Sequence, residues 1–112
     1  MAQFVHVGSA DSVKPGGSKL VMAVGRRIAL FNDGGTVYAL DDTCTHVGGP
    51  LSEGLCEGGV VTCPWHGAQF RIRDGLVMGP PARRNVQCYP VRVVGDDIQV
   101  LVPDPREPVQ DA

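Results

Sequence analysis

The stretch CTHVGGPLSEGLCEGGVVTCPWHG, residues 44–67, holds three of the four cysteines and two of the three histidines of the chain. One residue separates Cys44 from His46, and two residues separate Cys63 from His66. Each half of the pattern therefore offers one thiolate and one imidazole, which are ligands that suit zinc and iron–sulfur centres. The spacing predicts two chelating loops that bind a shared metal centre.

Glycine and proline accompany these ligands. Gly48, Gly49 and Gly67 allow close approach of the backbone and unusual φ and ψ angles, so backbone N–H groups can point at sulfur. Pro64 stiffens the second loop between its two ligands. Both loops are thus expected to be compact and rigid.

Zinc is the first alternative for the metal. Structural zinc sites usually separate paired ligands by two to four residues, and the single residue between Cys44 and His46 is tight for that geometry. Each loop also mixes cysteine with histidine instead of segregating them. Iron–sulfur chemistry is therefore favoured, and a structural zinc module without redox activity stays as an alternative.

Length and composition limit the remaining classes. The chain has 112 residues and 43% hydrophobic residues, which predicts one folded domain over residues 1–112. The net charge is −2 and there is no basic block, so nucleic acid is not an expected partner. No apolar run approaches the ~18 residues that span a bilayer, and residues 1–10 do not resemble a secretory signal. We expect a cytoplasmic protein without membrane contact, whose cysteines are thiols or metal ligands.

Short strands between turns predict an all-β fold, a sandwich or barrel. Gly25-Arg26 and Gly95-Asp96-Asp97 are predicted as hairpin turns, and Asp33-Gly34-Gly35 as a further turn. Between residues 41 and 82 the alternation weakens, which indicates a site built from loops on a β scaffold. The tail at 103–112 is polar, rich in proline and expected to be loosely ordered. The predicted strands are KLVMAV (19–24), RIALFN (27–32), TVYAL (36–40), CYPVRVV (88–94) and IQVLV (98–102).

The spaced motif CTH…CPWHG resembles the signature of the Rieske [2Fe–2S] family, and the resemblance extends over nearly the whole chain, including a third, proline-containing loop at 78–82. It implies an antiparallel β-sandwich or barrel with a cluster-binding subdomain at about 41–82. It also implies one [2Fe–2S] cluster per chain, with Cys44 and Cys63 on one iron and His46 and His66 on the other. Two thiolates and two neutral imidazoles make the oxidised cluster formally neutral, which raises the reduction potential above that of an all-thiolate cluster.

Within the family, the surroundings of the cluster distinguish two groups. High-potential respiratory members resemble CTHLGC…CPCHGSxY, with a disulfide that joins the two loops. Here Gly49 and Trp65 occupy the disulfide positions, and Ala68 and Phe70 stand where the family has Ser and Tyr. Loss of two hydroxyl donors leaves the added negative charge less stabilised. The chain therefore resembles the low-potential ferredoxins of bacterial aromatic-ring dioxygenase systems.

This resemblance implies a one-electron carrier that accepts electrons from a flavin-containing ferredoxin reductase and passes them to a terminal oxygenase. It implies no catalysis by the chain itself. An oxygenase large subunit would need a second domain with a two-histidine, one-carboxylate iron site, and only one histidine, His6, is left over. A Rieske-type small subunit of another oxidoreductase, such as a nitrite reductase, is the second electron-transfer hypothesis.

The other notable residues have modest predictions. Cys56 and Cys88 are expected to be small buried apolar residues, with alternative ligation or a disulfide as the less favoured roles. His6 is expected to be structural or at the surface. Trp65 either packs against the cluster or contacts a partner. Four acidic residues near the ligands are expected to be solvated, with steering of a basic partner as the less favoured role: Asp41, Asp42, Glu53 and Glu57.

Overall fold

The computed structural model describes residues 2–45, 48–65, 67–79 and 84–103. These residues form strands in three antiparallel sheets, with short 3₁₀ turns at Ala10–Ser12 and Leu51–Glu53. The all-β prediction is confirmed. No helix in these ranges is long and apolar enough to cross a membrane. The tail predicted at 103–112 lies, from residue 104 onward, outside the described residues.

The strands divide into sheets that we call terminal, central and small. In chain order they are β1 (Gln3–Ser9), β2 (Ser18–Ala23), β3 (Arg26–Asp33), β4 (Thr36–Asp41), β5 (Leu55–Glu57), β6 (Val60–Thr62), β7 (Gln69–Arg71), β8 (Val77–Gly79), β9 (Cys88–Tyr89), β10 (Val91–Val94) and β11 (Asp97–Val102). The terminal sheet has the spatial order β1-β11-β10, the central sheet β2-β3-β4-β9, and the small sheet β5-β6-β7-β8.

Tight turns join the strands of the central sheet. Val24 and Gly25 connect β2 to β3 with φ of 51° and 76°, and Gly34 and Gly35 connect β3 to β4 with φ of 63° and 102°. Positive φ at both central residues matches the twist of the flanking strands. The predicted hairpin is confirmed, but its turn is Val24-Gly25, one residue earlier than Gly25-Arg26. The sequence did not indicate this position, since β-branched residues such as Val24 rarely adopt a positive φ.

Strand β3 is buried on both faces and lies between two cores. Ile28 and Leu30 belong to the core shared with the terminal sheet. Ala29 and Phe31 belong to the core shared with the small sheet. Because both faces are covered, β3 is a continuous apolar run instead of an alternating one. The central sheet therefore forms a middle layer that supports the small sheet from below.

Pro90 marks the place where the chain changes sheets. Before it, β9 pairs with β4; after it, β10 pairs with β11. Pro90 has no N–H to donate, and its carbonyl oxygen accepts the Leu101 N–H at 2.9 Å. The prediction of one strand over 88–94 is therefore wrong: there are two strands in two sheets. The predicted hairpin of β10 and β11 is confirmed.

The small sheet was not predicted from the sequence. Its strands have three residues each, which is too short to display an alternation. Val61 and Phe70 are paired across β6 and β7 and are fully buried in the core below. Strand β6 ends directly before Cys63, and β7 begins directly after Ala68. The second cysteine loop is thus the connection between two paired strands.

Candidate metal centre

The first cysteine loop leaves the end of β4 and closes on itself. The Cys44 N–H donates to the Gly49 carbonyl oxygen at 2.9 Å, and the Gly48 N–H donates to the Cys44 carbonyl oxygen at 2.9 Å. Thr43 and Pro50 form an isolated antiparallel bridge at the base of this loop. The loop is therefore fixed on both sides of Cys44. Gly48 has a φ of +77°, which agrees with the predicted unusual backbone angle.

Asp42 holds the base of this loop to the strand below. It is only 1% exposed, and its Oδ1 accepts the Ser52 N–H at 2.8 Å. Its Oδ2 lies 3.5 Å from Nη2 of Arg27. A buried carboxylate is tolerated only when it is paired and hydrogen-bonded in this way. The expectation that Asp42 is solvated is wrong, because the loop at 50–52 folds back over it.

The second cysteine loop is stabilised by hydrogen bonds around Cys63. The Cys63 N–H donates to the Ala68 carbonyl oxygen at 2.7 Å. The backbone N–H of Trp65 donates to the Cys63 sulfur. Gly67 has a φ of +76°, as the glycine pattern predicted. The loop thus places a backbone donor at a sulfur, which is the arrangement expected for a thiolate ligand.

Cys44 and Cys63 come together between the two loops. Their exposed fractions are 2% and 1%, and the two thiols hydrogen-bond to each other. Burial raises the pKa of the Cys63 thiol; the Trp65 N–H opposes this rise, and the neighbouring Cys44 thiol adds to it. The Cys63 thiol is therefore harder to ionise in the metal-free protein, and a bound metal would favour its thiolate form. This donor pair fits a thiolate-bound iron.

His46 and His66 lie outside the described residues. Their neighbours Thr45 and Gly67 are described, and Thr45 Oγ1 donates to the Arg84 carbonyl oxygen at 2.7 Å. This bond ties the first cysteine loop to the segment that follows the third, proline-containing loop. Residues 80–83, which include most of the third loop, are outside the described ranges.

Gly49 has a role that the sequence indicated only in general terms. A Cβ at this position would lie 2.6 Å from the Cys63 sulfur and 3.0 Å from Cγ of Trp65. Real Cβ atoms do not approach other atoms so closely, so only glycine fits here. The first loop therefore contacts the second through a bare backbone.

Cys56 and Cys88 are the two cysteines outside the Cys–His motif. Both are partly buried, form no disulfide, and pack against the core between the central and small sheets. Burial raises the pKa of the Cys56 thiol, with a further increase from Asp33. Their packing against this core agrees with the predicted apolar role. Trp65, in contrast, is 50% exposed.

Two buried sulfurs on adjoining loops above a β scaffold define a metal-binding β protein. A family model for the Rieske [2Fe–2S] domain matches residues 3–90, and the chain belongs to this family. It binds a [2Fe–2S] cluster, and the zinc alternative is set aside.

Two relatives align over most of their length. The biphenyl dioxygenase ferredoxin subunit of Pseudomonas sp. (strain KKS102) is 38% identical over 98 residues, which cover 87% of this chain and 90% of the relative. The 3-phenylpropionate/cinnamic acid dioxygenase ferredoxin subunit of Escherichia coli (strain K12) is 40% identical over 91 residues, which cover 80% and 86%.

Solved structures share the same fold. The ferredoxin of carbazole 1,9a-dioxygenase from Nocardioides aromaticivorans IC177 superposes with a TM-score of 0.84 at 30% identity, covering 88% of this chain and 96% of that one. A chain in the complex of reduced oxygenase and oxidized ferredoxin in carbazole 1,9a-dioxygenase gives 0.83 at 32% identity, covering 88% and 92%.

A structure from another system is also similar. The putative NADH-dependent nitrite reductase small subunit from Mycobacterium tuberculosis gives a TM-score of 0.78 at 28% identity, covering 91% of this chain and 96% of that one. The fold therefore occurs in a dioxygenase ferredoxin and in a putative nitrite reductase small subunit.

Proposed function

We propose that this chain is a one-electron carrier that takes electrons from a flavin-containing reductase and delivers them to the terminal oxygenase of an aromatic-ring dioxygenase system. The observation that carries the proposal is the buried pair of sulfurs, Cys44 and Cys63, in a Rieske domain that spans 90% of a dioxygenase ferredoxin relative. Relatives that align over most of their length are ferredoxin subunits, so the chain acts as a component and not as an enzyme.

The proposed ligands are Cys44 and Cys63 on one iron and His46 and His66 on the other. The cysteine pair supports this assignment, because the two sulfurs are adjacent, dry and approached by a backbone donor. When bound, the cluster supplies a centre that changes its charge by one electron. The histidine ligands keep the potential above the range of all-thiolate clusters.

The chain's own residues control the environment of that charge. Burial of both sulfurs keeps water away from them, and the Trp65 N–H provides a fixed donor to Cys63. A donor to sulfur stabilises the more negative, reduced state, whereas a dry apolar surrounding disfavours it. The balance of these two effects sets the potential at which the carrier accepts and releases its electron.

The domain and the compartment follow from the same proposal. Residues 1–112 act as one Rieske domain, supported by the two cores that join the central sheet to its neighbours. We place the protein in the cytoplasm, where the reductases and oxygenases of such systems would meet it. The partners are proteins; neither nucleic acid nor membrane is involved.

A nitrite reductase small subunit is the second candidate, favoured by the structural similarity reported above. The two roles differ in their electron acceptor. Reconstitution separates them: the purified protein is mixed with NADH, with the reductase and oxygenase of the biphenyl or the 3-phenylpropionate system, and with the matching aromatic substrate.

We expect substrate-dependent oxygen uptake that requires the chain, and no NADH-dependent loss of nitrite when a nitrite reductase large subunit replaces the oxygenase. Cys63→Ser removes a proposed ligand and should abolish both the cluster spectrum and the activity. Cys56→Ser is the matched control and should retain both. Turnover only with the nitrite reductase would reject the dioxygenase role, and an intact cluster in Cys63→Ser would reject the ligand assignment.

A further inference from the structure

Gly49 is a glycine for a steric reason. Its φ lies outside the left-handed region, so its backbone would accept any residue, yet a Cβ would lie 2.6 Å from the Cys63 sulfur. Gly48, its neighbour, shows the opposite case: its φ is +77°, and a Cβ would meet only Thr43 Cγ2, at 3.7 Å. The close approach is thus specific to the position that faces Cys63.

Trp65 closes the same space from the other loop. A Cβ on Gly49 would lie 3.0 Å from Cγ and 3.1 Å from Cβ of Trp65, so the tryptophan side chain packs directly on the glycine. Its backbone N–H donates to the Cys63 sulfur. One residue therefore contacts the first loop through its side chain and the second sulfur through its backbone.

The exposure of Trp65 is not explained by core packing. It is 50% exposed and, among the described residues, belongs to neither of the two cores. Its defined contacts are with Gly49 and Cys63. The base of its ring and the Cys63 sulfur adjoin the same small space, since a Cβ on Gly49 would lie 3.0 Å from the one and 2.6 Å from the other, and Cys63 is only 1% exposed.

We propose that the contact between Gly49 and Trp65 holds the two cysteine loops together and keeps water from the Cys63 sulfur, and that it thereby lowers the reduction potential of the centre. The proposal rests on the ligand assignment under Proposed function. Water at a sulfur stabilises the added negative charge of the reduced state, so excluding water favours the oxidised state. Trp65 is a positioning residue, since it acts through Cys63.

The test compares Trp65→Ala and Trp65→Leu with Met22→Ala in the cluster-loaded protein. Met22 is 60% exposed on β2 and belongs to neither core, so its variant removes a similar exposed apolar side chain outside the two cysteine loops. We expect about a threefold increase in the ratio of reduced to oxidised Trp65→Ala at a fixed electrode potential, or about +30 mV at ~59 mV per tenfold. Trp65→Leu should shift less in the same direction, and Met22→Ala should not shift.

The second arm tests the glycine. Gly49→Ala should lose cluster absorbance several times faster than the wild type under air, because the methyl group displaces Cys63 or Trp65. Gly48→Ala strains the same loop without reaching Cys63, and should lose absorbance at a rate closer to that of the wild type. Equal rates for the two variants would contradict the steric part of the proposal.

Failure of the Trp65 proposal can be distinguished from failure of the proposed function. Iron and sulfide content and the electron paramagnetic resonance spectrum of the wild type test the cluster assignment alone. If the wild type carries the cluster but Trp65→Leu has an unchanged or lower potential, the proposal is overturned and the ligand assignment stands. If Trp65→Ala cannot retain a cluster, the role in joining the loops is supported, and Trp65→Leu decides the effect on potential.

Discussion

The central and small sheets reach their structures by different means. In the central sheet, β2, β3 and β4 have six to eight residues and are joined by turns whose glycines Gly25 and Gly34 have positive φ. A methyl group added at either glycine would meet nothing within 4 Å. In the small sheet and its loops, Gly58 and Gly67 are of the same kind, but other glycines are also needed because atoms are too close: a Cβ on Gly75 would lie 2.2 Å from the Val86 carbonyl oxygen. The turns of the first region depend on backbone conformation, whereas the second region depends on backbone conformation and on close packing.

This difference teaches where mutations should matter for the cluster. The central and terminal sheets share a core of their own, whereas Cys44 and Cys63 belong to the core between the central and small sheets. Damage to the first core should therefore lower stability alone. Damage to the second should lower stability and release the metal.

The largest effect is expected from Phe70→Ala. Phe70 is fully buried in the same core as Cys63, and such a deletion costs about 3–5 kcal/mol of the free energy of unfolding. Ile98→Ala, in the other core, should cost about 2–5 kcal/mol. Denaturant titration measures both costs, and absorbance of the cluster in buffer measures retention. Only Phe70→Ala should lose the cluster at denaturant concentrations below its unfolding transition. Equal loss of the cluster in both variants would show that the two cores do not differ in their effect on the metal centre.

The next effect compares two glycines. Gly75→Ala combines a positive φ of +76° with a clash against a backbone carbonyl, and should cost about 3 kcal/mol of the free energy of unfolding. Gly34→Ala, at φ +63° with free space, should cost about 1 kcal/mol. Thermal unfolding of the two variants gives the comparison. Similar losses would show that close packing does not distinguish the small sheet.

Asp42 gives a third, smaller effect at the boundary of the regions. Asp42→Ala leaves the Ser52 N–H without its acceptor, which should cost about 1–3 kcal/mol of the free energy of unfolding. Asp42→Asn retains an acceptor oxygen and should cost less. Asp11, which is exposed, provides the control in Asp11→Ala. Iron release to a chelator should be fastest in Asp42→Ala, slower in Asp42→Asn and slowest in the wild type. An unchanged rate in Asp42→Ala would exclude a role of Asp42 in holding the first cysteine loop.

The sequence predicted the long strands of the central sheet, the hairpin at β10 and β11, and the Cys–His motif of the family. These features are local, because strands of six residues display their pattern and Gly34-Gly35 marks its own turn. The small sheet was missed because three-residue strands have no visible period. The burial of Asp42 was missed because it depends on Ser52 folding back from the next segment.

Two further features were predicted from the sequence only in part. The sequence showed that Gly49 replaces a disulfide position, but not that Trp65 packs on it, because that contact joins two loops sixteen positions apart. The sequence predicted a single strand over 88–94, whereas the change of sheet at Pro90 depends on the partners β4 and β11. A local sequence pattern does not show which distant strands or loops will pair with each other.

A smaller effect concerns the reduction potential of the cluster, and it tests the absence of hydroxyl groups at Ala68 and Phe70. Both are fully buried beside Cys63 in one core and offer no hydroxyl. The potential should lie near the bottom of the Rieske range, around −150 mV. Phe70→Tyr and Ala68→Ser should each raise it by tens of millivolts, since ~59 mV corresponds to ~1.4 kcal/mol for one electron and only part of a hydrogen bond differs between the states.

Protein-film voltammetry of the wild type and both variants measures these shifts. Val93→Thr on β10, which is outside this core, adds a hydroxyl away from the site and is the control. A wild-type value well above zero, or a decrease in either variant with its cluster intact, would overturn the account of the missing donors.

The smallest effect belongs to the terminal sheet, which shares no core with the cysteine loops among the described residues. Asp97 accepts a hydrogen bond from Gln99 Nε2 at 2.7 Å and contacts Nδ1 of His6. Gln99 in turn accepts from Arg92 Nε at 2.6 Å. The hydrogen bond from Gln99, followed by that from His6, lowers the pKa of Asp97 below its ordinary value of 3.8.

The sign of the pH dependence follows from this lowered pKa. The folded protein releases the Asp97 proton more readily than the unfolded chain, so the stabilisation is present above pH 3.8 and is lost as the pH falls through the lower folded value. Asp97→Asn should therefore lower the melting temperature slightly at pH 6, and the gap to the wild type should close below about pH 4. Asp96→Asn removes the same charge one residue earlier and is the control. Because this network is separate from the cysteines, Asp97→Asn should leave the reduction potential unchanged; a shift in potential, or a gap that widens towards acid, would show that the terminal sheet is coupled to the site.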